Sequence, residues 1–228
     1  MRGPAKIRAV TFDVGGTLIE PWPSVGHVYA EVAARHGAPN LSPEDLAKRF
    51  GIAFRRRARS IHSAAEWAEI VDETFAGLVR EPPSKTFFPE LYERFAQAAA
   101  WRIFPDAKPT LAALAEGGIK LGVISNWDSR LRPLLEALDL AGWFEVIVVS
   151  CEAGASKPSP VIFLEATRLL GVAATATLHV GDSHQADVLG ARGSGLQAIQ
   201  IARQTPSPGE GQIQSLAELV ALLSPGVQ

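Results

Sequence analysis

Five short apolar runs constrain this chain most. Ile7–Phe12, Lys120–Ile124, Glu145–Val149, Thr177–Val180 and Gln197–Ile201 are rich in β-branched residues and lack strict alternation. That is the pattern of strands covered on both faces. Helical stripes separate the last four runs. Leu131, Leu134, Leu135 and Leu138 fall at i, i+3, i+4 and i+7. Ile162, Phe163, Ala166, Leu169 and Leu170 repeat the stripe, with Pro158 or Pro160 suited to its first turn. Ser215 and Glu218 make a capping-box pattern around Leu216, Leu219, Val220 and Leu223. The alternation predicts an α/β fold, a doubly wound parallel sheet.

One stretch interrupts it. Residues 21–100 hold no strand pattern and four helical ones. Val25, Val28, Tyr29 and Val32 make the first; Ser42 caps a second with Leu46, Phe50 and Phe54. Trp67, Ile70, Val71, Phe75 and Leu78 make the third, and Leu91, Tyr92, Phe95 and Ala99 the fourth, across the break Pro82-Pro83-Ser84. The predicted organisation is an α/β core of residues 1–20 and 101–228 with a small all-helical domain of 21–100. Its hinges fall near Glu20–Pro23 and Trp101–Pro105. Thr205–Gln212 reads as a Pro/Gly surface loop.

The balance of 22 basic and 24 acidic residues gives a net charge of −2, which argues against nucleic acid or an anionic membrane as partner. Cys151 is the only cysteine, so no intrachain disulfide forms and a reducing compartment is natural. The N-terminal apolar run stops at Asp13, too short for a signal peptide, and no run approaches a membrane span of about 20 residues. The expectation is a cytoplasmic protein, monomer or homodimer.

Polar residues cluster just after the strand runs. Asp13 follows Val10-Thr11-Phe12 and precedes Gly15-Gly16-Thr17; Ser125-Asn126 follows Gly122-Val123-Ile124; Lys157 comes a few residues after the third run; Gly181-Asp182 follows the fourth, with Asp187 beyond. In a parallel sheet the carboxyl ends of all strands open on one edge, where ligands bind. Each residue alone has a plainer reading: Asp13 a turn residue, Ser125 or Asp182 a helix cap, Lys157 a solvated lysine. All of them on one edge suit phosphoryl transfer instead. A carboxylate nucleophile splits one hard step into two, Mg²⁺ takes oxygen ligands, and hydroxyl, N–H and lysine groups hold the charged oxygens.

Asp13-Val14-Gly15-Gly16-Thr17-Leu18, Ser125-Asn126, Lys157-Pro158 and Gly181-Asp182-Ser183-His184-Gln185-Ala186-Asp187 resemble, in order and spacing, the four motifs of the haloacid dehalogenase (HAD) superfamily. The helical insert resembles that superfamily's cap placed after motif one. The resemblance implies Asp13 as nucleophile and metal ligand, the Gly15 carbonyl and Asp182 as further ligands, and Asp187 as metal support. It implies Thr17, Ser125 and Asn126 as binders of the transferred group, Lys157 as the neutralising cation, Mg²⁺ as cofactor and a small phosphorylated metabolite as substrate.

One position departs from the pattern. Phosphatases of the superfamily carry a second aspartate two residues after the nucleophile, as general acid and then base. Here Gly15 stands there, without a proton-transfer group typically worth about 10² to 10⁴ in rate. A glycine also suits a positive φ, which an aspartate tolerates poorly. Three readings follow: a Mg²⁺-dependent phosphohydrolase restricted to good leaving groups, a metal-free carbon–halogen hydrolase, or a non-catalytic member. Phosphonoacetaldehyde hydrolases, also small at this position, use a cap lysine, which brings in Lys48 and Lys85. Glu20 and His27 are candidate replacement acids, and Arg55, Arg56, Arg57 and Arg59 form a basic run read as solvated. His184 is a weaker proton donor, Trp127 a wall of the pocket or a packing residue, and Asp128 a helix cap. Cys151 reads as a structural thiol and His179 as a satisfied core histidine.

Overall fold

The computed structural model describes residues 6–57, 63–205 and 208–223. They form two compact units: one runs through Ile19 and resumes at Ile103, the other is Glu20–Arg102. The strands are β1 (Ala9–Phe12), β2 (Ile19–Pro21), β3 (Trp101–Ile103), β4 (Lys120–Ser125), β5 (Val146–Val149), β6 (Thr177–Gly181), β7 (Gln197–Ile201) and β8 (Gln212–Ile213). Six of them make one parallel sheet in the order β5-β4-β1-β6-β7-β8, while β2 pairs with β3.

The five apolar runs are all strands of this sheet, with ends shifted by at most two residues. The strands that pattern reading passes over, β2, β3 and β8, are only two or three residues long, too short to show a period. So Pro21 ends a strand within the second unit, and Gln212 lies in a strand, not in the loop assigned to it; residues 206 and 207 of that loop lie outside the described residues.

The register decides where the chemistry falls. Phe12 is level with Val123 of β4 on one side and Val180 of β6 on the other. Asp13, Ser125 and Asp182 therefore lie within about one residue of each other, roughly 3.3 Å of strand rise, at one sheet edge. From β1 the chain builds one side of the sheet with β4 and β5 and then crosses to the other with β6, so this edge is a topological switch point.

Helices α1 (Val25–Arg35), α2 (Pro43–Arg57), α3 (Ala64–Phe75) and α4 (Phe88–Arg94) build the helical unit. Ser24, Ser42 and Ser63 each accept a backbone N–H of the following turn, at 3.3, 3.2 and 3.4 Å. Tyr29 is the hub of the core, stacking on Phe75 at 5.7 Å between centroids and meeting Phe50 and Phe95 edge-on. α3 stops at Phe75, before Gly77 at φ +74°, so Leu78 falls outside the helix its stripe predicts. α4 ends at Arg94, and Ala99 sits in a separate 3₁₀ turn.

In the α/β unit follow α5 (Ala107–Glu116), α6 (Leu131–Ala137), α7 (Ser150–Ala153), α8 (Pro160–Leu170), α9 (Gly190–Gly193) and α10 (Ala217–Leu223). The sequence reading passed over α5, which buries Leu111 and Leu114. Pro160, not Pro158, opens α8, with Ser159 as its cap. Ile124 and Val148 of the sheet pack on Ile162, Phe163 and Ala166 of α8 and on Val188 and Ala191. Among the described residues no helix is long and apolar enough to cross a membrane.

Candidate active site

The backbone N–H of Asp13 donates to the Val180 carbonyl at 2.9 Å, continuing the β1–β6 ladder one residue past the strand. That fixes where its side chain begins. Asp13 Oδ1 accepts hydrogen bonds from Ser125 Oγ at 3.0 Å and Lys157 Nζ at 2.7 Å. So Ser125 is not a helix cap, and α6 begins only at Leu131. Lys157 is not solvated; it is 2% exposed. Its ammonium also donates to Asp187 Oδ1 at 2.6 Å.

Asn126 delivers that lysine. Its side-chain amide donates to the Lys157 carbonyl at 2.9 Å and accepts the Lys157 N–H at 2.7 Å. One amide thus clamps both backbone groups of residue 157. Asp187 is held from behind: Oδ2 accepts the Ser183 N–H at 2.9 Å, and Oδ1 meets His179 Nε2 at 3.1 Å. Thr11 Oγ1 lies 2.9 Å from His179 Nδ1. A neutral imidazole satisfies both contacts, with Nε2–H donating to Asp187 and Nδ1 accepting from Thr11. A buried polar chain therefore runs Thr11–His179–Asp187–Lys157–Asp13.

Its charges follow from burial and neighbours. Burial outweighs the pull of Lys157 and holds Asp13 above the ordinary aspartate range, with Asp187 adding repulsion. For Lys157 burial opposes charge, but Asp13 and Asp187 more than compensate and keep it above the usual lysine value. For Asp187 the same opposition is overcome by Lys157 and His179, so it stays well below the usual range. Burial pushes His179 down, in keeping with a neutral ring. Asp182 keeps an exposed edge. Protein packed round its carboxylate nevertheless strips water from it, and Asp13 and Asp187 add negative charge; together they push it up to about 7.

Two glycines let the carboxylates sit this close to the backbone. A Cβ on Gly181 would lie 2.2 Å from Asp187 Cγ. The widened π-helical turn His184–Leu189, capped by Ser183, carries Asp187 back beneath that glycine. Gly16 has φ +76°, and a Cβ there would lie 2.5 Å from Asp182 Oδ2. The positive φ anticipated at Gly15 thus belongs to Gly16. What limits a side chain at Gly15 is the Trp127 ring, 3.3 Å from where its Cβ would be.

Carboxylate oxygens of Asp13, Asp182 and Asp187 all lie within 4.8 Å of one another. An all-oxygen, carboxylate-rich set fits a hard divalent cation such as Mg²⁺. Thr17 is fully buried and its hydroxyl has no hydrogen-bond partner among the described residues. Its carbonyl accepts Arg203, which also binds Asp106 and lies over the Phe104 ring.

The weaker candidates have surroundings of their own. In the helical unit, Glu20 binds Arg102 and His27 binds Ser24 Oγ at 2.8 Å, while Lys48 and Lys85 are exposed. Arg56 and Arg57 pair with Glu73 and Glu69 of α3; Arg59 lies outside the described residues. His184 is exposed, and burial raises the Cys151 thiol. Asp128 is buried, accepting the Arg130 backbone N–H at 3.0 Å and its guanidinium at 2.7 Å. Sequence reasoning passed over the tie of His179 and Thr11 to this site. The available signal was two polar residues level with each other in adjacent apolar strands.

Comparisons with known proteins agree with this geometry. Residues 7–195 match the haloacid dehalogenase-like hydrolase family. The haloacid dehalogenase-like hydrolase domain-containing protein 3 of Danio rerio is 33% identical over 98% of both chains. A HAD phosphatase from Thermococcus onnurineus is 27% identical over 96% of this chain and 98% of its own, with a TM-score of 0.66. A 2-haloacid dehalogenase from Pseudomonas syringae is 26% identical over the same shares, with a TM-score of 0.63. The chain belongs to the HAD-like hydrolase family, and it is a hydrolase on the parallel-sheet fold of that family.

Proposed function

We propose that this chain is a Mg²⁺-dependent phosphohydrolase that passes the phosphoryl group of a small metabolite through Asp13. The observation that carries the reading is the gathering of Asp13, Asp182 and Asp187 within 4.8 Å, beside the Ser125 and Lys157 donors on Asp13. A phosphatase and a dehalogenase are equally similar to the chain, so overall likeness does not separate the two chemistries. The carboxylate cluster supports the first: Asp182 beside Asp13 and Asp187 suits a cation rather than a halide.

In this reading Asp13 and Asp182 with the Gly15 carbonyl hold Mg²⁺, and Asp187 supports it. Bound there, the ion offsets charge on the phosphoryl oxygens and lets the carboxylates stand close together. The Asp13 carboxylate attacks phosphorus, and the leaving oxygen departs with its bonding electrons. Lys157 and Ser125 orient Asp13 and neutralise the oxygens; Thr17 offers a spare hydroxyl, and Asn126 acts mainly by placing Lys157. Water then cleaves the aspartyl phosphate. Residues 1–20 and 101–228 are the catalytic core, and 21–100 form a cap that selects the substrate. The setting is cytoplasmic.

A second reading, carbon–halogen hydrolysis at Asp13, is favoured by Gly15, which supplies no acid–base carboxylate. Turnover of acetyl phosphate, p-nitrophenyl phosphate and 2-chloropropionate, each with Mg²⁺ and with EDTA, separates them. Phosphate release that needs Mg²⁺ and vanishes in Asp13→Asn is the expected result. Chloride release unaffected by EDTA overturns it.

A further inference from the structure

Gly15 and Trp127 are best understood together. A Cβ on Gly15 would sit 3.3 Å from Trp127 Cζ3 and 3.9 Å from Cη2. The first distance is already tighter than ordinary packing, before any further atom of a longer side chain is placed. The backbone that carries the ring is fixed. The Trp127 backbone N–H donates to Ser150 Oγ at 3.0 Å, and the same hydroxyl donates back to the Trp127 carbonyl at 3.1 Å. The Cys151 N–H reaches that carbonyl as well, at 3.3 Å. Ser150 is fully buried and Trp127 is 9% exposed. On the other side the chain is equally fixed: Trp127 lies two residues beyond Ser125, which holds Asp13, and one beyond Asn126, which clamps Lys157.

The ionisable groups around Asp13 within the α/β unit are already committed. Lys157 is locked between two carboxylates, Asp187 is held by Lys157, His179 and Ser183, and Asp182 belongs to the carboxylate cluster. The atoms that a Cβ at residue 15 would meet are carbons of the indole edge, which neither give nor take a proton.

We infer that Trp127 is a specificity-determining residue: its indole occupies the niche beside Asp13 that a carboxylate at position 15 would need, and so restricts the enzyme to aryl and acyl phosphates. The inference rests on the phosphohydrolase reading above. In the step concerned, one Asp13 oxygen forms a bond to phosphorus as the bond from phosphorus to the leaving oxygen breaks. The electron pair stays on that oxygen. A phenolate or carboxylate carries it away without a proton, whereas an alkoxide needs one and finds no uncommitted donor among the described residues of the α/β unit.

Four proteins test this: wild type, Gly15→Asp, Trp127→Leu and the double variant, with Trp127→Phe as a milder second truncation. Each is assayed with Mg²⁺ on p-nitrophenyl phosphate, acetyl phosphate and glycerol phosphate, and each is melted by circular dichroism. Wild type should favour the aryl and acyl substrates over glycerol phosphate by about 10²-fold or more in kcat/KM, within the range of a missing general acid. Gly15→Asp alone should melt lower and gain nothing on glycerol phosphate. In the Trp127→Leu background the same substitution should cost less in Tm and raise glycerol phosphate turnover by about 10-fold or more. Equal Tm losses in both backgrounds, or a glycerol phosphate gain in Gly15→Asp alone, overturns the inference. Wild type without turnover of any phosphate is a failure of the phosphohydrolase reading, and the melting cycle still decides whether the two positions exclude each other.

Discussion

At the scale of single residues the site is an arrangement of charges that would repel without Lys157. Its ammonium lies 2.7 Å from Asp13 and 2.6 Å from Asp187, with all three buried. Removing one partner from a buried ionic cluster leaves uncompensated charge and typically costs about 3 to 5 kcal/mol. Lys157→Met in Mg²⁺-free buffer should therefore lose about that much in urea unfolding and be inactive. An unchanged urea midpoint would show that Lys157 does not hold the carboxylates together. Asp13, Ser125, Lys157 and Asp187 were legible in the sequence because each follows an apolar run and the runs share one edge. The role of His179 was not, since inside a buried strand a ligand to Asp187 and a satisfied core histidine leave the same trace. The nearness of the Trp127 ring to where a Cβ of residue 15 would be, 112 positions apart in sequence, leaves none at all.

Elements show how far periodicity carries. The long helices other than α5 and all five runs of the parallel sheet were readable, since burial on two sheet faces or one helix face repeats over several residues. The π-helical turn that aims Asp187 was not, because one widened turn changes no repeat. Nor was the approach of α1 to α2. A Cβ on Gly26 would lie 1.8 Å from the Pro43 carbonyl oxygen and 2.9 Å from the Ala47 nitrogen, so these two helices touch backbone to backbone. Gly26→Ala raises helix propensity by about 1 kcal/mol in an exposed helix, yet here it forces the helices apart. Overpacking of this kind costs about 1 to 3 kcal/mol, and the net result should be a lower Tm for Gly26→Ala. A Tm equal to or above wild type would mean that α1 and α2 separate freely.

For the whole molecule, metal and proton compete at the carboxylate cluster. Asp182 in the metal-free fold is raised to about 7 from an ordinary 3.8. The folded state thus holds this proton more tightly than the unfolded chain, and the associated stability is full below the ordinary value and is lost as pH rises through 7. A divalent cation needs the deprotonated form. Mg²⁺ should therefore raise Tm more at pH 8 than at pH 6; at about a hundred times Kd the stabilisation approaches 2.7 kcal/mol. An increment equal at both values, or larger at pH 6, speaks against Mg²⁺ on Asp182. The central claim, that phosphoryl passes through Asp13, is tested most directly by trapping it. With no carboxylate at Gly15 to serve as base, breakdown of the aspartyl phosphate should be the slow step, so the intermediate accumulates. Acid quenching of wild type during turnover of acetyl phosphate with Mg²⁺, followed by peptide mass spectrometry, should find a hydroxylamine-labile phosphoryl group on Asp13 and none in Asp13→Asn. Steady phosphate release by wild type with Asp13 unmodified at every quench time would contradict the account.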